Sequence, residues 1–139
     1  MLWSDCYATL ALAAKNTSTI RLGTGVAVSG TRPAPVTASS IATINALAPG
    51  RTFLGVGSGN TAMRVMGLPP QRIKAFDEYV GTLRPLLRGE EALYRTSAGD
   101  RLIQHIMPDH GFVSFEAPIP MYVSGFGPVS YTHLTLPTK

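Results

Sequence analysis

The residues most able to do chemistry in this chain are small ones, and they stand where three apolar runs end. The first run closes on Gly23, Thr24 and Gly25, the second on Gly57, Ser58 and Gly59, the third on Ser124, Gly125, Phe126 and Gly127. In parallel α/β proteins ligands sit at the carboxyl ends of the strands. Stripping side chains there lets a flat ligand lie against the backbone, which offers N–H and C=O groups in place of bulk. One glycine at a strand end is ordinary punctuation; three ends treated alike suggest a shared cavity. The competing reading is that all three are merely turns.

The second of these ends carries a further signal. Gly57 to Ala62 fits the loose G-x-G-x-x-[GA] dinucleotide pattern and follows a strand, as that pattern requires. It also wants an acidic residue about 20 positions on, at the end of the next strand. Asp77 and Glu78 have that spacing but fall inside the strongest helical pattern of the chain, so the dinucleotide reading fails on context. A better expectation is that Asn60 caps a short helical turn, Thr61 to Met66, closed by Gly67. Free N–H groups there would face an anion or a polar ring edge; a purely structural cap fits equally well.

Other candidates are weaker. His105, Asp109 and His110 invite a metal, but a spacing of five puts the two histidines on different helix faces, Pro108 breaks the segment, and no third ligand is implied. No metal is expected. No Ser or Cys nucleophile motif occurs. Trp3 lies where a preceding strand would end, placed to touch a substrate or simply to pack.

Composition narrows the class. The 139 residues are 45% hydrophobic and 14% charged, which is globular. The net charge of +4 is scattered, with no basic run, so nucleic acid is not an expected partner. The single cysteine, Cys6, cannot form an internal disulfide and fits a reducing compartment. Leu10 to Ala14 is preceded by Asp5 and no positive charge, so it does not read as a leader. No apolar stretch approaches the ~20 residues that span a bilayer. The expectation is a cytoplasmic protein with no membrane contact.

These residues must be positioned by alternating elements. Ser4 and Asp5 cap a helix to about Lys15, with Tyr7, Leu10, Ala11 and Ala14 on one face. Ile20 to Val28 is a buried strand. Pro33 and Pro35 open a helix carrying Val36, Ile41, Ile44 and Leu47, stopped by Pro49 and Gly50. Thr52 to Val56 is a second buried strand. Ile73, Phe76, Val80, Leu83 and Leu87 mark the clearest helix, ended by Gly89, with Pro85 expected to kink its last turn. Residues 90–117 are irregular, with Tyr94 and Arg95 pairing Arg101 to Ile103 across Ser97 to Asp100. Met121 to Val123 is a third strand. Strands without polar faces, alternating with helices, imply a parallel α/β sheet, either open or part of a barrel.

The blocks Leu22–Val26, Ala42–Arg51, Leu54–Asn60 and Ile119–Pro128, in this order and spacing, closely resemble luciferase-like monooxygenases. Within that superfamily they are most similar to methylene-tetrahydromethanopterin reductases and deazaflavin-dependent dehydrogenases. The resemblance covers about residues 3–128. It implies a partial (β/α)8 TIM barrel in which this chain supplies the third to fifth strands, cut short at both ends, as one domain fragment over 1–128. It implies FMN or coenzyme F420 across the strand ends, a small-molecule substrate and, as an option, a homodimeric parent.

Carried over residue by residue, the resemblance implies a backbone bulge at Gly25 and Val26, often with a non-proline cis peptide, that supports one face of the isoalloxazine ring. That cis bond is expected in an intact holoenzyme and is not required of a shorter chain. The fourth-strand turn matches Gly59 and Asn60, and the fifth-strand end matches Ser124, Gly125 and Gly127. Some relatives carry a carboxylate where this chain has Asn60, so no proton-transfer role follows for it. Relatives bring catalytic acidic or His residues on strands absent here, so no catalytic residue is assigned. Residues 129–139 resemble translated sequencing adapter and are read as a non-native tail. The parent is expected to transfer a hydride between (deaza)flavin and an organic substrate, or to carry out flavin-dependent monooxygenation. The alternatives are a phosphate-binding barrel enzyme of another class, or a truncated fragment without activity.

Overall fold

The computed structural model describes residues 4–125. Their order is α1 (Cys6–Asn16), β1 (Leu22–Val28), α2 (Ala34–Leu47), β2 (Thr52–Gly57), α3 (Asn60–Val65), α4 (Ile73–Leu86), β3 (Ala92–Thr96), β4 (Gly99–Ile103), a 3-10 turn (Pro108–His110) and β5 (Met121–Ser124). β1, β2 and β5 form one parallel sheet with β2 in the centre, while β3 and β4 form a separate antiparallel hairpin. All three parallel strands therefore end at one rim, where Val28, Gly57 and Ser124 stand level.

Alternation along the strands separates two faces. Leu22, Leu54 and Val56 join the helices in one core with Ile41, Ile44, Phe76, Val80 and Leu83, and Met121 and Val123 pack against it. The other face carries Gly23, Phe53, Gly55, Gly57, Tyr122 and Ser124, with Phe53 and Tyr122 edge to face at 5.8 Å. No described helix covers it. Arg21 lies over the Phe53 ring at the amino end of this face.

Local chemistry explains each helix. Asp5 caps α1 by accepting from the N–H groups of Tyr7 (3.0 Å) and Ala8 (2.9 Å), and these bonds, Ala8 first, hold its carboxyl below the usual range. The far end of α1 is tied by Arg51, whose guanidinium donates to the carbonyls of Ala14, Thr17 and Ile20. This cation at a helix C-terminus links α1 to the start of β2.

α2 opens at Pro33 as expected, but its buried stripe is Ala34, Thr37, Ala38, Ile41, Ala42, Ile44 and Asn45. Val36 and Leu47, expected on the buried stripe, are each 47% exposed, and Ala34, Ala38 and Ala42 are buried in their place. α4 runs through Pro85: the Leu87 N–H still reaches the Leu83 carbonyl at 2.9 Å, so the last turn persists. The bond lost to proline is the one that the carbonyl of exposed Gly81 would accept.

The hairpin exists but its turn is tighter than the sequence suggests. Ser97 and Ala98 alone form it, and Gly99 and Asp100 belong to β4, paired with Thr96 and Arg95. Gly99 has φ +111°, so its glycine serves the strand entry next to the turn. Thr82 fastens the hairpin to α4 by donating to the Leu93 carbonyl at 2.9 Å.

Among the described residues β1 and β5 each keep one unpaired edge, and the open face exposes Val26 and Tyr122. Flat, apolar, unpaired edges template association. The isolated 139-residue chain is therefore expected to self-associate, with a mass that rises with concentration in sedimentation velocity. A concentration-independent monomer with a sharp thermal transition would overturn this expectation.

Candidate functional site

The centre of the open face is built by an irregularity in β1. Thr24 pairs with Leu54 and Ala27 with Val56, so Gly25 and Val26 together oppose Gly55 alone. This is a β-bulge, which bends its strand and leaves the extra residue outside the ladder. The peptide between Gly25 and Val26 is cis. Both residues are exposed, and a Cβ built on Gly25 would meet nothing within 4 Å. The Thr24 hydroxyl, buried on the other side, donates to the Gly55 carbonyl at 2.7 Å and anchors the bulge to β2.

The structure brings Val26, Gly57 and Ser124 together. A Cβ on Gly57 would stand 2.9 Å from Val26 Cγ2 and 3.5 Å from Ser124 Cβ. Gly125 follows Ser124 at the same rim and is half-buried. β1 ends at Val28, as expected, so Gly25 lies inside it at the bulge and not at the rim, because pairing resumes past the bulge.

Gly59 and Asn60 differ from expectation. Gly59 itself is the N-cap of α3, in the left-handed conformation at φ 79°, and Asn60 is the first helical residue with no capping bond. Its Oδ1 instead accepts from Arg64 Nε at 2.8 Å, one turn on. The glycine takes the cap because β2 must turn sharply beside Val28, whose Cγ1 occupies the place a Gly59 side chain would need. Gly67 closes α3 as expected: its N–H reaches the Arg64 carbonyl and that of Leu68 the Met63 carbonyl, a Schellman pattern.

Gly127, Trp3 and residues 129–139 lie outside the described residues. Among the described residues no group of three or more His, Cys, Asp and Glu is placed to hold a metal. His105 sits against Phe115 and its Nε2 lies 3.1 Å from the Leu86 carbonyl; burial lowers its pKa. A cavity of about 430 Å³ opens elsewhere, between the β1–α2 loop, α4 and the hairpin, and shares no residue with the glycine face.

Two residues inside the blocks read from the sequence had no role given there: Gly55 makes room for the Thr24 carbonyl and for Val26, and the Thr24 hydroxyl fastens the bulge. A period-two pattern of Phe53, Gly55 and Gly57 was the available signal. Among the described residues the face offers backbone polarity, the hydroxyls of Ser124 and Tyr122 and, at its amino end, the Arg21 guanidinium, with no carboxylate, histidine or lysine.

The family model for luciferase-like monooxygenases matches residues 1–132. The chain belongs to this family. It is 37% identical over 127 residues to the 5,10-methylenetetrahydromethanopterin reductase of Methanolobus tindarius, covering 89% of this chain and 37% of that protein. The chain thus spans little more than a third of this relative's length.

Among solved structures, the coenzyme F420 dependent tetrahydromethanopterin reductase of Methanopyrus kandleri is similar at a TM-score of 0.67 and 26% identity, over 91% of this chain and 40% of that one. The oxygenating constituent of 3,6-diketocamphane monooxygenase from Pseudomonas putida, a structure in complex with FMN, shares the fold at a TM-score of 0.66 and 18% identity, over 88% of this chain and 37% of that one. This family's fold is the (β/α)8 barrel, and the chain is a partial barrel. The open sheet face is the side that such a barrel turns inward. Among the described residues no helix is long and apolar enough to cross a membrane.

Proposed function

We propose that this chain is the cofactor-bearing part of an oxidoreductase that uses FMN or coenzyme F420, and that the bare face at the strand ends takes the tricyclic ring. The observation that carries it is the exposed bulge: a Cβ built on Gly25 would meet nothing within 4 Å, and Val26 beside it lies over Gly55 and Gly57. Three strands at ~4.8 Å spacing span about 10 Å, the width of such a ring. The open space at Gly25, beside the exposed Val26, leaves room for one face of a flat ring, so the residues present fit the group.

In this reading the Gly25–Val26 bulge supports one face of the ring, Ser124 and Gly125 border it at the end of β5, and Gly127, outside the described residues, is a further proposed contact. Gly59 and Asn60 stand at the end of β2, with the Asn60 amide at the polar edge. When bound, the (deaza)flavin supplies the hydride or oxygen chemistry; the protein holds and orients it. The substrate is a small organic molecule on the exposed side of the ring, and the reaction is hydride transfer or monooxygenation. The same reading makes 1–128 one barrel segment, sets 129–139 apart as a foreign tail, and keeps the enzyme in a reducing compartment such as the cytoplasm.

The test is direct. The full-length protein should quench FMN fluorescence or bind F420 saturably in a titration, and reduce or oxidise that cofactor in the presence of substrate. A folded full-length protein that binds neither cofactor would overturn the reading.

A further inference from the structure

A bulge has an unsolved problem: the ladder does not hold its extra residue. Val26 is a 43% exposed valine standing off β1, so something else must fix where it sits. The contacts answer this. Val26 Cγ1 lies 3.4 Å from where a Gly55 Cβ would be, and Cγ2 lies 2.9 Å from where a Gly57 Cβ would be. The Thr24 carbonyl leans over Gly55 so closely that a side chain there would strike backbone. Ser124 Cβ, on the other side of Gly57, stays at an ordinary 3.5 Å, so Val26 supplies the crowding at this position.

These glycines are not turn residues. Neither Gly55 nor Gly57 has a positive φ, and both lie in the paired part of the central strand, where glycine weakens a sheet. A glycine with no conformational duty in a central strand marks a close approach of another group. We infer that Gly55 and Gly57 form a socket in β2 that seats the β1 bulge, and that Gly57 is the positioning residue that sets how far Val26 stands out over the ring-binding face. The consequence for binding rests on the cofactor reading above; the socket itself does not.

The full-length protein carries the test, in wild type and as Gly57→Ala, Val26→Ala and the double variant. Alanine suits the backbone at 57, so the change acts through Val26. FMN and F420 are titrated in parallel, with the absorbance spectrum of the bound cofactor recorded. Gly57→Ala should weaken binding roughly tenfold or more, as overpacking does, and shift the bound spectrum. Trimming Val26 removes the clash, so the double variant should bind within about twofold of Val26→Ala alone, the scatter of independent sites. Wild-type affinity for Gly57→Ala, or a double variant that loses as much affinity relative to Val26→Ala as Gly57→Ala loses relative to wild type, would sink the inference.

Should the wild type bind neither cofactor, the cofactor reading falls, and the socket is judged by thermal midpoints. Gly57→Ala should then lower the midpoint and Val26→Ala restore part of it. Strictly additive losses would overturn the socket.

Discussion

Replacing Asn45 by leucine is expected to destabilise the full-length protein by on the order of 3 kcal/mol, since the buried Thr52 hydroxyl and two part-buried carbonyls each lose a partner, at the low end of about 1–3 kcal/mol apiece. Asn45 is 0% exposed on α2. Its Nδ2 donates to the carbonyls of Ser114 (3.0 Å) and Ala117 (2.9 Å), and its Oδ1 accepts from the Thr52 hydroxyl. One amide therefore joins α2, the first residue of β2 and the segment that leads into β5. That segment ends at Pro120, whose carbonyl accepts from the Leu54 N–H at 2.8 Å. Losing the amide unmoors the approach to β5 and so one wall of the glycine face. Asn45→Asp should also destabilise, because it removes both donated bonds and buries a charge. Chemical denaturation gives the loss directly; a change under about 1 kcal/mol, the centre of ordinary point-mutant effects, would show that the segment is held by other contacts.

Asn45 also marks what the sequence could not disclose. The three parallel strands and α4 were legible, because apolar runs without polar faces and a clean three-and-four spacing both arise from burial along the chain. An asparagine between Ile44 and Ala46 carries no such local sign: its partners lie 7, 69 and 72 residues away. The same holds for Arg51, whose acceptors sit at the end of a helix far back in sequence. Asn60 misled for the opposite reason. Its type is a good cap, but crowding by Val28 gives the cap to Gly59. Along β2 the glycines at strand ends drew attention, whereas Gly55, one pleat earlier, gained its meaning only from the Thr24 carbonyl across the ladder. Tertiary partners decide such positions.

Gly25→Leu should abolish cofactor binding while leaving the fold intact. A Cβ at Gly25 meets nothing within 4 Å, and its φ is not in the left-handed region, so the protein has both room and backbone geometry for a side chain there. The stability change should stay within about 0.5 kcal/mol, as for an exposed position without special contacts. If the bulge supports the ring, though, a leucine projecting from it occupies ring space. FMN or F420 affinity should then fall by on the order of a hundredfold, about 2.7 kcal/mol. Gly25→Ala, adding one methyl group, should give a smaller loss in the same direction. A graded loss of affinity with a constant thermal midpoint separates a ligand site from a structural turn, since a turn glycine would lose stability first. Unchanged affinity in Gly25→Leu would mean that the open space at the bulge faces something other than the cofactor, and the bare face of β2 would then need a different occupant.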